Sequence, residues 1–152
     1  MLRRNVRPTK PLGQASAEEI TEQIANFTEA IESDPKDAQA YYGRGIAYMR
    51  KGRYQRQRDY LGQGDIDKAI ADFTQAIRLG VTDHDVYMRR GATYQANGEI
   101  DKAIADFTEA IRIAPKEPKA YSARANAYER RGQRDKAKAD RNKAEDLTSP
   151  AE

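Results

Sequence analysis

One short unit recurs along this chain and limits what it can fold into. Residues 101–115 read DKAIADFTEAIRIAP. Asp67 to Leu79 reads DKAIADFTQAIRL, 34 positions earlier, and Ile24 to Pro35 reads IANFTEAIESDP, 80 positions earlier. The three phenylalanines, Phe27, Phe73 and Phe107, hold the same place in the unit. A fixed period in this range marks a chain of like supersecondary units, each burying its apolar face against the next.

Each unit is one helix of a pair. In the first copy Ile20, Ile24, Phe27 and Ile31 recur at spacings of four, three and four, one face of an α-helix. Ser16-Ala17-Glu18-Glu19 is a capping box that starts this helix, and Asp34-Pro35 ends it. Between the units lies a second kind of helix. Tyr41, Arg44, Gly45, Tyr48 and Gly52 recur as Tyr87, Arg90, Gly91, Tyr94 and Gly98, then as Tyr121, Arg124, Ala125, Tyr128 and Gly132. The small residue lets the partner helix approach, and the glycine at 52, 98 or 132 is expected to terminate the helix.

The alternation of an aromatic, a small residue and Tyr with Ala, Phe, Ala and Pro over 34 residues resembles the tetratricopeptide repeat. The resemblance spans residues 16–147. It implies an all-α fold, a right-handed superhelical array of antiparallel helix pairs, with about three repeats after an N-terminal half repeat. The expected organisation is a basic extended arm (1–15), a half repeat (16–35), repeats over 37–81, 82–115 and 116–147, and a tail (148–152). The last helix places Lys138, Arg141 and Glu145 where the preceding copy has Ile104, Phe107 and Ile111, a polar outer face suited to the end of an array.

Two positions depart from the family pattern in every copy. Arg44, Arg90 and Arg124 stand where Leu is usual, on the packed face of the first helix of each pair. Asp72, Asp106 and Asp140 stand on the packed face of the second. This predicts the structural ion pairs Arg44–Asp72, Arg90–Asp106 and Arg124–Asp140.

The repeat at 37–81 carries twelve extra residues, Arg53 to Gly64, so Phe27 and Phe73 lie 46 apart. Either the first helix continues through Gly52 for about three turns, or it stops and the insert forms a loop. The insert and its approach are basic, with Arg50, Lys51, Arg53, Arg56 and Arg58 against Asp59, and they interleave Tyr54 and Tyr60. The arm adds Arg3, Arg4, Arg7 and Lys10 with no acid. The net charge of +3 therefore comes from these two segments, and the repeats themselves are net acidic. Leu2, Val6 or Leu12 of the arm could cover the N-terminal helix, or a second copy could, as a route to a homo-oligomer.

Little points to catalysis. There are no cysteines and one histidine, His84, in Thr82-Asp83-His84-Asp85. That sequence is expected to be a helix start capped by Thr82, not a metal site. No metal, cofactor or catalytic residue is expected. No run of about 18 apolar residues could span a membrane, and the expected location is cytoplasmic, or periplasmic if a signal was removed.

Binding chemistry is richer. In the family the first helices line a concave groove. Carried onto this chain, that implies a lining of Tyr42, Ile46, Met49 and Arg50, then Met88, Arg89 and Gln95, then Lys119, Ser122, Asn126, Glu129 and Arg130. Tyr42, Ile46, Met49 and Met88 form an adaptable apolar patch. The cations and Asn126 are donors for carboxylates or carbonyls. Ile46 and Ala92 stand where a carboxylate clamp would need asparagines. The expected function is a non-catalytic scaffold or adaptor that holds a protein segment or partner subunit. The alternative is a nucleic-acid-associated module that uses the arm and the basic insert.

Overall fold

A computed structural model describes residues 16–56 and 63–149 of the 152-residue chain, with side chains left out at 54–56 and 63. Among the described residues there are seven helices and no strand. They are α1 (Ala17–Ser33), α2 (Ala38–Arg56), α3 (Gln63–Arg78), α4 (His84–Ala96), α5 (Ile100–Ile113), α6 (Pro118–Arg130) and α7 (Arg134–Thr148). Each helix packs on its neighbours in sequence. The closest associations are within the pairs α2–α3, α4–α5 and α6–α7. α2 also touches α4, and α4 touches α6, so the first helices of successive pairs form one layer.

Phenylalanine against glycine sets the spacing within pairs. Phe73 and Phe107 are buried, and a Cβ on Gly45 or Gly91 would stand 2.8 or 2.7 Å from those rings. That is closer than side-chain carbons pack, so the helices meet at backbone distance. In the third pair Arg141 replaces the phenylalanine, and Ala125 takes the glycine position. Around the phenylalanines sit Ala69, Ala76, Ala103 and Ala110, all fully buried.

The helix ends differ in detail from the sequence reading. Ser16 caps α1: its Oγ accepts from the Glu19 N–H, and the Glu19 carboxylate accepts from the Ser16 N–H. Asp83, not Thr82, caps α4, accepting from the backbone N–H groups of Asp85 and Val86. A carboxylate one residue nearer the helix reaches both orphan donors, and it also suits the positive end of the dipole. Gly98 and Gly132 take positive φ, +83° and +81°, just beyond α4 and α6, and there they terminate the helix. Gly52 does not. It is buried inside α2, which continues to Arg56. The helix therefore runs one turn past Gly52, as packing on α3 outweighs the roughly 1 kcal/mol helix cost of glycine. Gln63 and Gly64, the last two residues of the insert, open α3. α7 runs to Thr148, one residue into the expected tail.

Ile20 and Ile31 of α1 are buried against the array, while Phe27 is half-buried. The arm 1–15 and residues 150–152 lie outside the described residues, as do any contacts of Leu2, Val6 and Leu12.

Candidate functional site: the layer of first helices

Each repeat carries one charged motif on its packed face. Arg44 donates through Nε and Nη2 to the two carboxylate oxygens of Asp72, at 2.8 and 2.9 Å. Arg90 meets Asp106 in the same way at 2.8 and 2.8 Å, and Arg124 meets Asp140 at 2.7 and 2.8 Å. The remaining guanidinium nitrogen, Nη1, reaches back across the repeat boundary. It donates to the hydroxyl of Thr28, Thr74 or Thr108 on the preceding second helix, at 3.2, 3.1 and 3.1 Å. Thr28 and Thr108 in turn donate to the carbonyls of Ile24 and Ile104, which leaves the hydroxyl oxygen to accept from arginine. Two tyrosines flank each guanidinium, with Arg90 Cζ 5.8 Å from the ring centres of both Tyr87 and Tyr94. The Asp72 hydrogen bond holds the Arg44 guanidinium above its ordinary pKa.

The threonine was not singled out from sequence, although the signal is present: Phe-Thr recurs as a dipeptide at 27–28, 73–74 and 107–108. The motif is incomplete in the first and last of the described second helices. α1 has no first helix before it among the described residues, and it places exposed Asn26 where Asp72 and Asp106 stand in the later copies. α7 carries Arg141-Asn142 where the other second helices carry Phe-Thr.

The layer of first helices gathers most of the expected groove residues, with changes in their standing. Met49 does not line it. Its side chain is buried with Phe73, Ala69 and Ala76, because it follows the core stripe of α2. Tyr42, Ile46 and Met88 are half-buried and remain partly accessible. Tyr42 packs on Phe73, ring centres 6.1 Å apart.

Several cations are engaged internally. Arg50 donates to the Gln23 side chain on α1 at 3.2 Å. Arg130 donates to the backbone carbonyl of Gln95 at 2.9 Å. Glu129 pairs with Arg141. Lys51 lies 3.5 Å from buried Asp65. Of the basic insert, Arg53 is exposed, while Tyr54, Arg56, Arg58 and Tyr60 fall outside the described side chains. Arg89 joins a three-residue cluster that bridges α2 and α4. Its Nε lies 2.5 Å from Asp85 Oδ2 and 3.0 Å from the Tyr42 hydroxyl, and that hydroxyl donates to the same Asp85 oxygen. Burial first, and the Asp85 hydrogen bond second, push the Tyr42 phenol up to about 12. Burial works against the Asp85 carboxylate, but the Tyr42 and Arg89 hydrogen bonds outweigh it and hold the group below its ordinary value.

Further along, Lys119, Ser122 and Asn126 are exposed on α6. They line a cleft of about 510 Å³ whose far wall is Arg141, Ala144, Glu145 and Thr148 of α7. His84 opens α4, and among the described residues no group of three or more metal-ligating side chains is assembled. No described helix is long and apolar enough to cross a membrane.

Comparison with known proteins agrees with this geometry. The tetratricopeptide-repeat pattern matches residues 84–117, and related patterns of the same repeat match 16–52 and 60–79. No curated protein matches the sequence. Among solved structures, TTC0263, a thermophilic TPR protein in Thermus thermophilus, is 26% identical with a TM-score of 0.69, covering 85% of this chain and 66% of its own. The MamA MSR-1 structure is 22% identical with a TM-score of 0.69, covering 84% and 67%. The MamA RS-1 ArsTM double mutant is 15% identical with a TM-score of 0.74, covering 86% and 66%. The chain thus spans about two thirds of the length of these structures. With its repeated helix pairs, its phenylalanine-on-glycine packing and these matches, the chain belongs to the tetratricopeptide-repeat family.

Proposed function

We propose that this chain is a non-catalytic interaction module whose layer of first helices receives an extended segment of a partner protein. Repeats of this family are in general protein-interaction modules, and the surface chemistry here supports that use. The observation that carries the reading is the partly accessible apolar strip of Tyr42, Ile46, Met88 and Ala92, continuous in the repeat order with the exposed polar groups Lys119, Ser122 and Asn126. Apolar side chains of a bound segment would anchor on the strip. The polar groups would satisfy its backbone or an acidic residue. The basic approach to the insert supports nucleic-acid binding less well, because Arg50 is hydrogen-bonded to Gln23 and Lys51 is paired with Asp65.

The test is selection from a displayed pool of random-sequence peptides. Wild-type protein should enrich a consensus with apolar anchors. Met88→Asp, at a half-buried surface position, should lose that enrichment by roughly tenfold or more while keeping its helical content. Equal enrichment by Met88→Asp would exclude this surface.

A further inference from the structure

Successive repeats place Gln39, Asp85 and Lys119 at the same point of the first-helix layer. The charge there runs from neutral to negative to positive. Arg89 sits one turn after Asp85 on α4, and its counterpart on α6 is Ala123, so only α4 combines an acid and a base at these positions. The two are not free charges. Asp85 Oδ2 takes the Arg89 Nε–H at 2.5 Å, and the same oxygen accepts the Tyr42 hydroxyl proton from α2. Yet the pair is at the surface, with side chains 35% and 42% exposed for Arg89 and Asp85. The guanidinium could therefore be reached by a ligand, but its charge is already matched. Arg50 and Arg130 each donate to a neutral acceptor, the Gln23 side chain and the Gln95 carbonyl, and each lies about three turns along its helix from the Gln39 or Lys119 position. Lys119 is exposed and is the cation of this layer that stands in the open cleft.

We propose that Asp85 is a selectivity residue: by occupying Arg89 it makes the α2–α4 half of the groove reject acidic side chains of the partner segment and directs them to Lys119 in the α6 half. This rests on the groove reading above and adds the charge pattern of the segment, apolar and free of acid over α2 and α4, acidic over α6. The physical basis is competition. Asp85 already holds the Nε–H and neutralises the guanidinium, so an incoming carboxylate is left with the Nη groups and meets Asp85 beside it as a like charge.

The experiment compares peptides selected from the random-sequence pool by wild type, Asp85→Asn and Lys119→Ala. Asp83 caps α4, so Asp85→Asn retains the helix start, which unchanged helical content would verify. Asp85→Asn leaves Arg89 uncompensated. Its selected peptides should gain acidic residues among their apolar anchors, roughly tenfold over wild type. Lys119→Ala should lose the acidic residue that wild type selects beyond the apolar anchors. Equal acidic content in the Asp85→Asn and wild-type peptides, with Met88→Asp still defective, would overturn this inference and leave the groove reading standing. Failure of wild type to enrich any peptide would remove both.

Discussion

Arg90 and Asp106 face each other as a fork on a carboxylate, two parallel bonds of 2.8 Å joining α4 to α5. The third guanidinium nitrogen crosses to Thr74 of the preceding repeat at 3.1 Å. One arginine thus closes its own helix pair and fastens that pair to the one before. The same arrangement at Arg44 and Arg124 makes it a property of the array.

Replacing Arg90 with Leu should destabilise the protein by about 3 kcal/mol, because it strands a carboxylate that is only 8% exposed. Thermal or urea denaturation reads the effect. Arg90→Lys should recover little of it, since an ammonium offers no planar fork and cannot reach both Asp106 and Thr74. An unchanged melting temperature for Arg90→Leu would contradict the assignment.

Thr74→Val keeps the shape and removes the acceptor on the far side of the boundary. The expected loss is about 1.5 kcal/mol, the lower range for a hydrogen bond to a charged group. A double-mutant cycle with Arg90→Leu should show that the two losses do not add, whereas Thr74→Val with Arg124→Leu should be additive, as no partner is shared.

Gly91→Ala sets two effects against each other. Alanine favours the helix by about 1 kcal/mol, but its Cβ would stand 2.7 Å from the Phe107 ring and 3.2 Å from the Asp106 Cβ. The clash should win, with a net loss of about 1–2 kcal/mol. Adding Phe107→Leu to Gly91→Ala should cost less than the two single changes predict together, since the smaller side chain makes room. The third repeat, with Ala125 and Arg141, already has this relaxed pairing.

Tyr42 should ionise near pH 12 as a late step in an alkaline tyrosinate titration. Its folded pKa lies above the unfolded value of about 10. Its contribution to stability is therefore complete below about pH 10 and is lost as the pH rises towards 12, because the unfolded chain gives up the proton first. Tyr42→Phe should remove the late step from the tyrosinate absorbance curve and flatten the loss of stability in that window.

The repeat, its all-helical character and the pairing of Arg44, Arg90 and Arg124 with their aspartates were all legible in the residues. They depend on periodicity, and a helix converts spacing directly into a shared face. The Phe-Thr dipeptide was equally periodic, but its meaning depends on which helix lies across the boundary. Helix ends were less legible. Gly52, Gly98 and Gly132 look alike in sequence, and only the packing of α2 on α3 keeps Gly52 helical while the other two turn to positive φ.

The groove divides in the same way. Which residues belong to the first helices follows from the sequence, because register along a repeat is local. Which of them remain accessible or uncommitted was decided by tertiary structure. Met49 is turned into the core, Arg50 is drawn to Gln23, and Arg89 is matched by Asp85 and Tyr42. The Arg50 and Tyr42 contacts join residues from different helices, many positions apart. Periodicity specifies a face, whereas the availability of a side chain depends on what the neighbouring repeat brings within reach of it.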